Sequence, residues 1–343
     1  MPPTPCPRPT PAERAHHAHV RELVDHTPRL RDTGWEHALA ATPRSGYAPA
    51  VANPSATLTP DGPNADAYWS ALAATGDLST PAPDGRVAAW APALGFAALL
   101  TRLEPRPGQR VLVVGARGGW EAAVIAAHPA RPDVVVCEST PSIGAEAANR
   151  LAAARSRARV EIADAHHRLP AGRWDHVVVT GTTDHIPVLW TRALRPGGRL
   201  LTSIGQALAV VDRDTHGTGA HGRFEPLPAA FGPWDHPDRV GDPLLTEHGA
   251  HGFDLFAYLP PPTRVASVAH LPRGAHPCGD TALGMRYGAH VALGRPRLNR
   301  FTLTAHGGRT LVTLTDEKDG RPVRMWDLTP PATRTDTARR GAA

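Results

Sequence analysis

A glycine-rich turn in the first half of the chain is the segment best suited to hold a ligand. Its residues are Gly115, Ala116, Arg117, Gly118 and Gly119. The run before it, 110–114, is apolar and β-branched, and the run after it, 120–127, favours a helix. Glycine at such a junction lets the backbone approach a ligand and places a helix N-terminus beside it. A left-handed turn in any strand–helix unit also favours glycine, so the turn alone leaves a structural role open.

Polar residues end the next apolar runs of the sequence. Glu138 ends the second predicted strand, where a carboxylate accepts hydrogen bonds from both hydroxyls of a ribose, and Ser139 follows it. Asp164 and Ala165 follow the third strand, where an oxygen and backbone N–H groups would contact adenine, and Thr180 ends the fourth. Ordinary alternatives are a surface acid for Glu138 and an N-cap or turn residue for Asp164.

These features suit either a dinucleotide or an adenosyl cofactor. The dinucleotide fingerprint requires glycine at the third and sixth positions of the turn, where this chain has Arg117 and Trp120. The sequence therefore argues against a nicotinamide cofactor, and we keep a nicotinamide-dependent oxidoreductase only as a third hypothesis.

Apolar runs alternate with helical runs around the glycine turn. The predicted strands are 110–114, 133–137, 159–162, 175–180 and 199–204, and the predicted helices are 120–127, 143–154 and 183–194. Apolar strands bounded by helices imply a parallel sheet covered on both faces, with the ligand at the carboxyl ends of the strands. The predicted fold class is therefore α/β, a Rossmann-like doubly wound, mostly parallel sheet.

We divide the chain into five segments by composition and periodicity. They are a disordered tail (1–14), an N-terminal helical, acceptor-side segment (15–100), the cofactor-binding domain (101–215), a partly β accessory region of α+β type (216–330) and a second disordered tail (331–343). Within them we predict two short helices broken near Pro28, helices at 65–74 and 87–103, and a hairpin around 306–308.

Composition excludes several classes of protein. The formal net charge is +5, but the arginines are scattered among acids, which argues against a nucleic-acid partner. No long apolar run or signal peptide is evident, so we expect no membrane span. Three distant cysteines and dispersed histidines predict no disulfide framework and no metal site, and a reducing cytoplasm fits best. The oligomeric state stays open.

Longer blocks of the sequence resemble a known family. The block Arg106-Pro-Gly-Gln-Arg-Val-Leu-Val-Val-Gly115, then Glu138, Asp164, Trp174-Asp-His-Val-Val-Val-Thr180 and Leu194-Arg-Pro-Gly-Gly-Arg-Leu200, is similar to class I methyltransferases and most of all to the protein-L-isoaspartate O-methyltransferases. Upstream, Trp35 to Arg44 followed by Tyr47-Ala-Pro49 resembles that family's N-terminal segment. The resemblance implies S-adenosylmethionine as cofactor, with residues 115–119, Glu138 and Asp164 as its contacts.

The chain departs from the family pattern at two places. Arg117 replaces the middle glycine of the turn, where its side chain would either crowd the methionine moiety or pair with its carboxylate. The family's Thr/Ser-Ser-Gln-Pro segment, which precedes the long helix, has only Leu78 to Pro83 as its counterpart. Ser79 and Thr80 would supply an acceptor-side hydroxyl there or form a simple turn. We therefore assign no catalytic residue.

The leading functional hypothesis is an S-adenosylmethionine-dependent O-methyltransferase. Its acceptor would be a carboxylate, isoaspartyl or aspartyl, of a peptide or protein, with peptide tailoring as one setting. The alternative is a degenerate methyltransferase fold that binds a cofactor or partner without turnover, motivated by Arg117 and the missing Ser-Gln-Pro segment.

Overall fold

The structure is a computed structural model. It describes residues 8–53, 56–76, 78–81, 87–115, 117–183, 185–204, 207–216, 219–228 and 298–328. The helices of these ranges are α1 (Pro11–His26), α2 (Arg29–Asp32), α3 (Trp35–Ala40), α4 (Ala65–Ala73), α5 (Ala93–Leu100), α6 (Trp120–Ala127), α7 (Pro141–Ala153) and α8 (Val188–Ala193). None of them is long and apolar enough to span a bilayer.

The strands of the same ranges form one large sheet and two short hairpins. The hairpins pair β1 (Val51–Asn53) with β2 (Ala56–Leu58) and β3 (Ser79–Pro81) with β4 (Val87–Ala89). The large sheet contains β5 (Arg110–Val114), β6 (Asp133–Glu138), β7 (Arg159–Ile162), β8 (Trp174–Thr183), β9 (Leu194–Ile204), β10 (Ala207–Arg213), β11 (Ala220–Pro226), β12 (Phe301–His306), β13 (Arg309–Thr315) and β14 (Pro322–Asp327).

The large sheet is doubly wound. Its strand order is β14-β13-β12-β11-β10-β9-β8-β5-β6-β7, and the five strands from β9 to β7 pair in parallel. The chain winds outward through β5, β6 and β7 and then returns to place β8 on the other side of β5. The β5/β8 junction is therefore the switch point at which ligands of open α/β sheets bind. This confirms the predicted fold class.

The composition of β5 explains its central position. Val111 and Val113 pack into one apolar core, whereas Leu112 and Val114 pack into a second core. Because side chains alternate along a strand, these two cores lie on opposite faces of the sheet. A strand that is buried on both faces has a continuous apolar sequence. This is why β5 could be predicted from the sequence.

The first helix begins earlier than the sequence suggested. α1 starts at Pro11, inside the predicted tail 1–14, because Thr10 and Glu13 form a capping box. The Glu13 backbone N–H donates to Thr10 Oγ1 at 3.2 Å, and the Thr10 N–H donates to Glu13 Oε2 at 2.7 Å. The helix ends at His26, near the predicted break at Pro28, and α4 confirms the helix predicted at 65–74.

Two predicted helices were partly wrong. In the helix predicted at 87–103, the first residues form β4, and α5 begins only at Ala93. The pairing of β4 with β3 overrides the local helical periodicity. In the helix predicted at 183–194, only Val188–Ala193 is helical, and the following Arg195–Gly198 turn is part of β9.

The accessory region is not separate from the cofactor domain within the described residues. β11 pairs with β10 on one side and with β12 on the other, so the boundary predicted at 215/216 cuts through a continuous sheet. Thr310 of β13 also joins Ile186 through two hydrogen bonds of 3.1 and 3.2 Å. The predicted hairpin around 306–308 is confirmed as β12 and β13. Residues 229–297 and 331–343, which include a predicted tail, lie outside the described residues.

Candidate cofactor-binding site

The glycine loop follows β5 directly. Gly115 has φ 95° and Gly119 has φ 87°, a backbone conformation that only glycine adopts without strain. A Cβ at Gly115 would lie 2.9 Å from Thr180 Oγ1, so a side chain has no room there. Ala116, which we predicted as a contact, lies outside the described residues.

Backbone hydrogen bonds align the ends of three neighbouring strands. The Gly115 N–H donates to Cys137 O at 2.9 Å, and the Ala163 N–H donates to Glu138 O at 2.9 Å. From the other side, Thr180 Oγ1 of β8 lies 3.2 Å from both Val114 O and Gly115 O. The structure therefore brings the loop, Glu138, Asp164 and Thr180 to one edge of the sheet.

Glu138 is held in a fixed orientation. Its side chain is buried, and Oε1 accepts hydrogen bonds from the Thr140 N–H at 2.9 Å and from Ser139 Oγ at 3.4 Å. A carboxylate fixed at the end of β6 presents acceptor oxygens beside the loop. This is the arrangement that recognition of ribose hydroxyls requires.

Asp164 plays the turn role that the sequence left open. Its Oδ1 accepts a hydrogen bond from the His166 N–H at 2.9 Å, an Asx-type turn. The next residue, Ala165, is fully buried, and its carbonyl accepts a hydrogen bond from Trp190 Nε1 at 2.8 Å. The turn therefore fixes the backbone of residues 164–166 at the rim where adenine would lie.

The N-terminus of α6 offers backbone donors to an anion. Gly119 is its N-cap, and no side chain of the described residues caps the helix. The N–H groups of the first turn have no partner within the helix, and the helix dipole favours negative charge at this end. The glycine cradle, the oriented Glu138 and these donors fit an adenosyl cofactor that carries a carboxylate.

A buried charged cluster, which the sequence did not reveal as such, lies under the loop. Glu121 in the first turn of α6 is 1% exposed, and its Oε1 accepts a hydrogen bond from the Ala91 N–H at 3.2 Å. Burial raises the pKa of Glu121, and the charges of Arg117 and Arg44 oppose that shift. Arg44, at 2% exposure, ends the N-terminal segment of the family resemblance, which is the one signal that marked it.

Two tryptophans pack around Arg44. Its guanidinium carbon lies 5.4 Å from the ring centroid of Trp90 and 5.2 Å from that of Trp120. Arg44 Nη1 donates to Ala74 O at 2.9 Å, while Nε and Nη2 have no hydrogen-bond partner among the described residues. Burial lowers the pKa of Arg44 to about 10, so the group stays charged at neutral pH.

Ser79 and Thr80 do not lie directly before α5, because the helix begins only at Ala93 and not at residue 87 as predicted. Ser79 and Thr80 lie in β3, and the residues immediately before α5 are Trp90, Ala91 and Pro92. Thr80 is 1% exposed, and its hydroxyl lies 3.3 Å from Trp90 Nε1, so it faces the interior. The error arose because the pairing of β3 with β4 lengthens this connection without any local signal.

Three tryptophans and a cysteine of this domain pack in the interior. Trp120, Trp174 and Trp190 are almost completely buried. Cys137 Sγ donates to Ala163 O at 3.2 Å, and burial raises the pKa of this thiol to about 12, so it remains protonated. The described residues contain no group of three His, Cys, Asp or Glu side chains that could hold a metal ion.

The doubly wound sheet, with a glycine loop at its switch point and an acid at the end of the next strand, defines a class I S-adenosylmethionine-dependent methyltransferase domain. Residues 87–225 match the family described as "Protein-L-isoaspartate(D-aspartate) O-methyltransferase (PCMT)". These residues are therefore a domain of that family, and its cofactor is S-adenosylmethionine, as predicted.

Curated relatives and one solved structure agree with this assignment. Protein-L-isoaspartate O-methyltransferase 2 of Polaromonas sp. (strain JS666 / ATCC BAA-500) is 34% identical over 39% of this chain and 64% of its own. The enzyme of Methanopyrus kandleri is 30% identical over 41% of this chain and 66% of its own. This chain thus spans slightly less than two thirds of either relative.

A solved protein-L-isoaspartate O-methyltransferase superposes with a TM-score of 0.55 at 15% identity, over 84% of this chain and 96% of that chain. At 15% sequence identity, this structural similarity is evidence for the fold alone.

Proposed function

We propose that the protein is an S-adenosylmethionine-dependent O-methyltransferase whose acceptor is an isoaspartyl or aspartyl carboxylate of a peptide or protein. The observation that carries the proposal is the aligned row of Gly115, Glu138 and Asp164 within a domain of this family. The names of the relatives support an isoaspartyl acceptor. Peptide tailoring is the setting we favour, because the divergent N-terminal segment and the extra C-terminal region suit a dedicated peptide substrate better than general repair.

Each residue of the row has a proposed role. Glu138 accepts from the ribose hydroxyls, and Ser139 supports its orientation. Asp164 and Ala165 hold the rim against adenine, while Thr180 braces the loop through Gly115 O. Arg117, at φ 46°, pairs with the carboxylate of the methionine moiety.

The cofactor would supply an electrophilic methyl group on a sulfonium. Opposite charges are consumed when a carboxylate accepts that methyl group, so exclusion of water and correct positioning promote the step without a general base. Trp90 and Trp120 are almost fully buried and would exclude water on the loop side. We also propose a cytoplasmic location, which the dispersed cysteines support.

Two measurements test this function. Calorimetric titration with S-adenosylhomocysteine is expected to show one site. Incubation with methyl-labelled cofactor is expected to transfer label to an isoaspartyl or an aspartyl peptide. Cofactor binding with no transfer to either peptide would overturn the carboxylate acceptor, and absence of binding would overturn the whole proposal.

A second candidate, a methyltransferase domain that binds cofactor without turnover, is favoured by the tight packing of Trp90 against Gly118. Trp90 stands immediately before α5, where the family has its acceptor-side Ser-Gln-Pro segment. For this candidate, the Trp90→Ser variant would gain transfer activity that the wild type lacks. An active wild type would exclude it.

A further inference from the structure

A groove of 610 Å³ opens away from the glycine loop, along α6. Its walls come from α6, from the residues after α7 and from the segment between α3 and Tyr47. One end carries Arg131, Arg155 and Arg157. Its volume suits a small ligand or a short stretch of peptide.

Two of these arginines have an unfavourable backbone conformation. Among the described residues, the non-glycine residues with positive φ are Arg117, Arg131 and Arg155, at 46°, 50° and 52°. The left-handed backbone region is unfavourable for a residue with a Cβ, whereas glycine adopts it freely. Glycine is especially common just after the end of a helix, which is the position of Arg155. Arg117 lies in the cofactor loop, and the other two line the groove. Strained residues of this kind concentrate at functional sites.

The arginine end of the groove has an uncompensated positive charge. Its described lining contains no Asp or Glu, and neither Arg131 nor Arg155 forms an ion pair with a described residue. Arg157 donates to Ala126 O at 3.0 Å, which caps α6 and holds this guanidinium in place. An anionic group bound here would gain charge-assisted hydrogen bonds.

A tyrosine also lines the same groove. Tyr47 is 4% exposed, so its ring forms a largely buried wall against which a peptide side chain would pack.

We propose that this groove binds an acidic stretch of the peptide acceptor. Carboxylates of the peptide pair with Arg131 and Arg155, which line the groove and are both exposed. This peptide-binding proposal rests on the proposed function in one respect, namely that the methyl acceptor is a peptide.

The length of the groove predicts how far the acidic residues of the peptide lie from its methylated residue. Trp120 Nε1 donates to Thr42 O at 2.9 Å, which places the upper end of the groove beside the first residue of α6. The eight residues of α6 span about 12 Å, a distance covered by about four extended peptide residues. With the methylated residue taken to lie at the N-terminus of α6, we expect the acidic residues about four positions from it.

Binding of short synthetic peptides to the full chain, without cofactor, tests the proposal. One peptide carries an isoaspartyl residue and a Glu-Glu pair at the expected spacing, and its twin carries Gln-Gln. The Glu-Glu peptide should bind the wild type at least about tenfold more tightly. The Arg131→Gly/Arg155→Gly variant should lose that preference yet melt no lower than the wild type, because glycine suits both backbones.

An Arg21→Gln/Arg321→Gln variant removes the same charge from exposed positions elsewhere and should keep the preference. Equal binding of the two peptides, an unchanged preference in the glycine variant, or tighter binding of inorganic tripolyphosphate than of the Glu-Glu peptide would overturn the proposal. If S-adenosylhomocysteine still binds in that case, the proposed function survives. If it does not bind, that function fails independently.

Discussion

The indole ring of Trp90 lies directly against the α-carbon of Gly118, so that a Cβ at Gly118 would overlap the ring. Trp90 is itself 2% exposed and stacks on Trp120 at a centroid distance of 6.1 Å. The aromatic side chain of Trp90, supported by Trp120, therefore packs against the glycine loop.

The first prediction concerns this packing. Gly118→Ala should lower the free energy of unfolding by about 2 kcal/mol, because an added methyl group in a close-packed site forces its neighbours to shift. Chemical denaturation measures the change. Gly46→Ala is the control, since a Cβ there meets nothing within 4 Å. Equal stability of the two variants would show that Trp90 does not pack against the loop.

A second prediction separates the two roles of Arg117. Arg117→Gly restores the family's glycine and relieves the backbone at φ 46°. If Arg117 pairs with the methionine carboxylate, the variant should bind S-adenosylhomocysteine about tenfold more weakly, by loss of a charge-assisted contact. Its affinity for 5′-methylthioadenosine, which lacks the amino-acid moiety, should stay unchanged. Tighter binding of S-adenosylhomocysteine by the variant would instead show that Arg117 crowds the site.

The third prediction is a loss of stability in acid. Burial lowers the pKa of His19 to about 3 and that of His176 to about 4. In the unfolded chain a histidine binds its proton near pH 6.5, so below that pH the unfolded state binds more protons than the folded state. The free energy of unfolding should therefore fall by about 2 kcal/mol between pH 6 and pH 5.

Variants at the histidines test this origin. His19→Gln keeps a donor for Ala73 O and Ala74 O and should remove about half of the pH dependence in urea denaturation. His17→Gln, exposed on the same helix, serves as the control. Identical pH dependence in the His19 variant and the wild type would refute the assignment.

The fourth prediction concerns the continuous sheet. Leu303 of β12 is fully buried in the same core as Leu112 and Leu200 of β5 and β9. Leu303→Ala should cost about 2–5 kcal/mol by leaving a cavity. The protein should still unfold in one transition that includes the tryptophan fluorescence of the cofactor domain. Two separate unfolding transitions would instead support the predicted independent accessory domain.

The parts predictable from the sequence are those whose signal is local. β5 and β6 are short apolar runs, and β7 is a short strand with alternating polar and apolar residues. The glycine turn lies beside β5, so the row of Gly115, Glu138 and Asp164 could be placed without the structure. β4 could not, because its strand form depends on pairing with β3 rather than on its own residues.

Long-range features were also out of reach of sequence reasoning. β11 and β12 are neighbours in the sheet although Pro226 and Phe301 are far apart in the chain, and no local pattern records such pairing. Likewise, the cluster of Arg44, Glu121 and Trp90 joins three distant segments. Each residue looks ordinary in its own segment, and only the fold brings them together.

The most direct test of the account is the binding of S-adenosylhomocysteine to four forms of the chain, measured by calorimetry. The wild type should bind one equivalent, and Glu138→Gln and Asp164→Ala should each weaken binding by about tenfold or more through lost hydrogen bonds. Glu161→Gln, an exposed acid on β7, should bind like the wild type. Wild-type affinity in both site variants, or no binding by the wild type, would contradict the placement of the cofactor at this edge of the sheet.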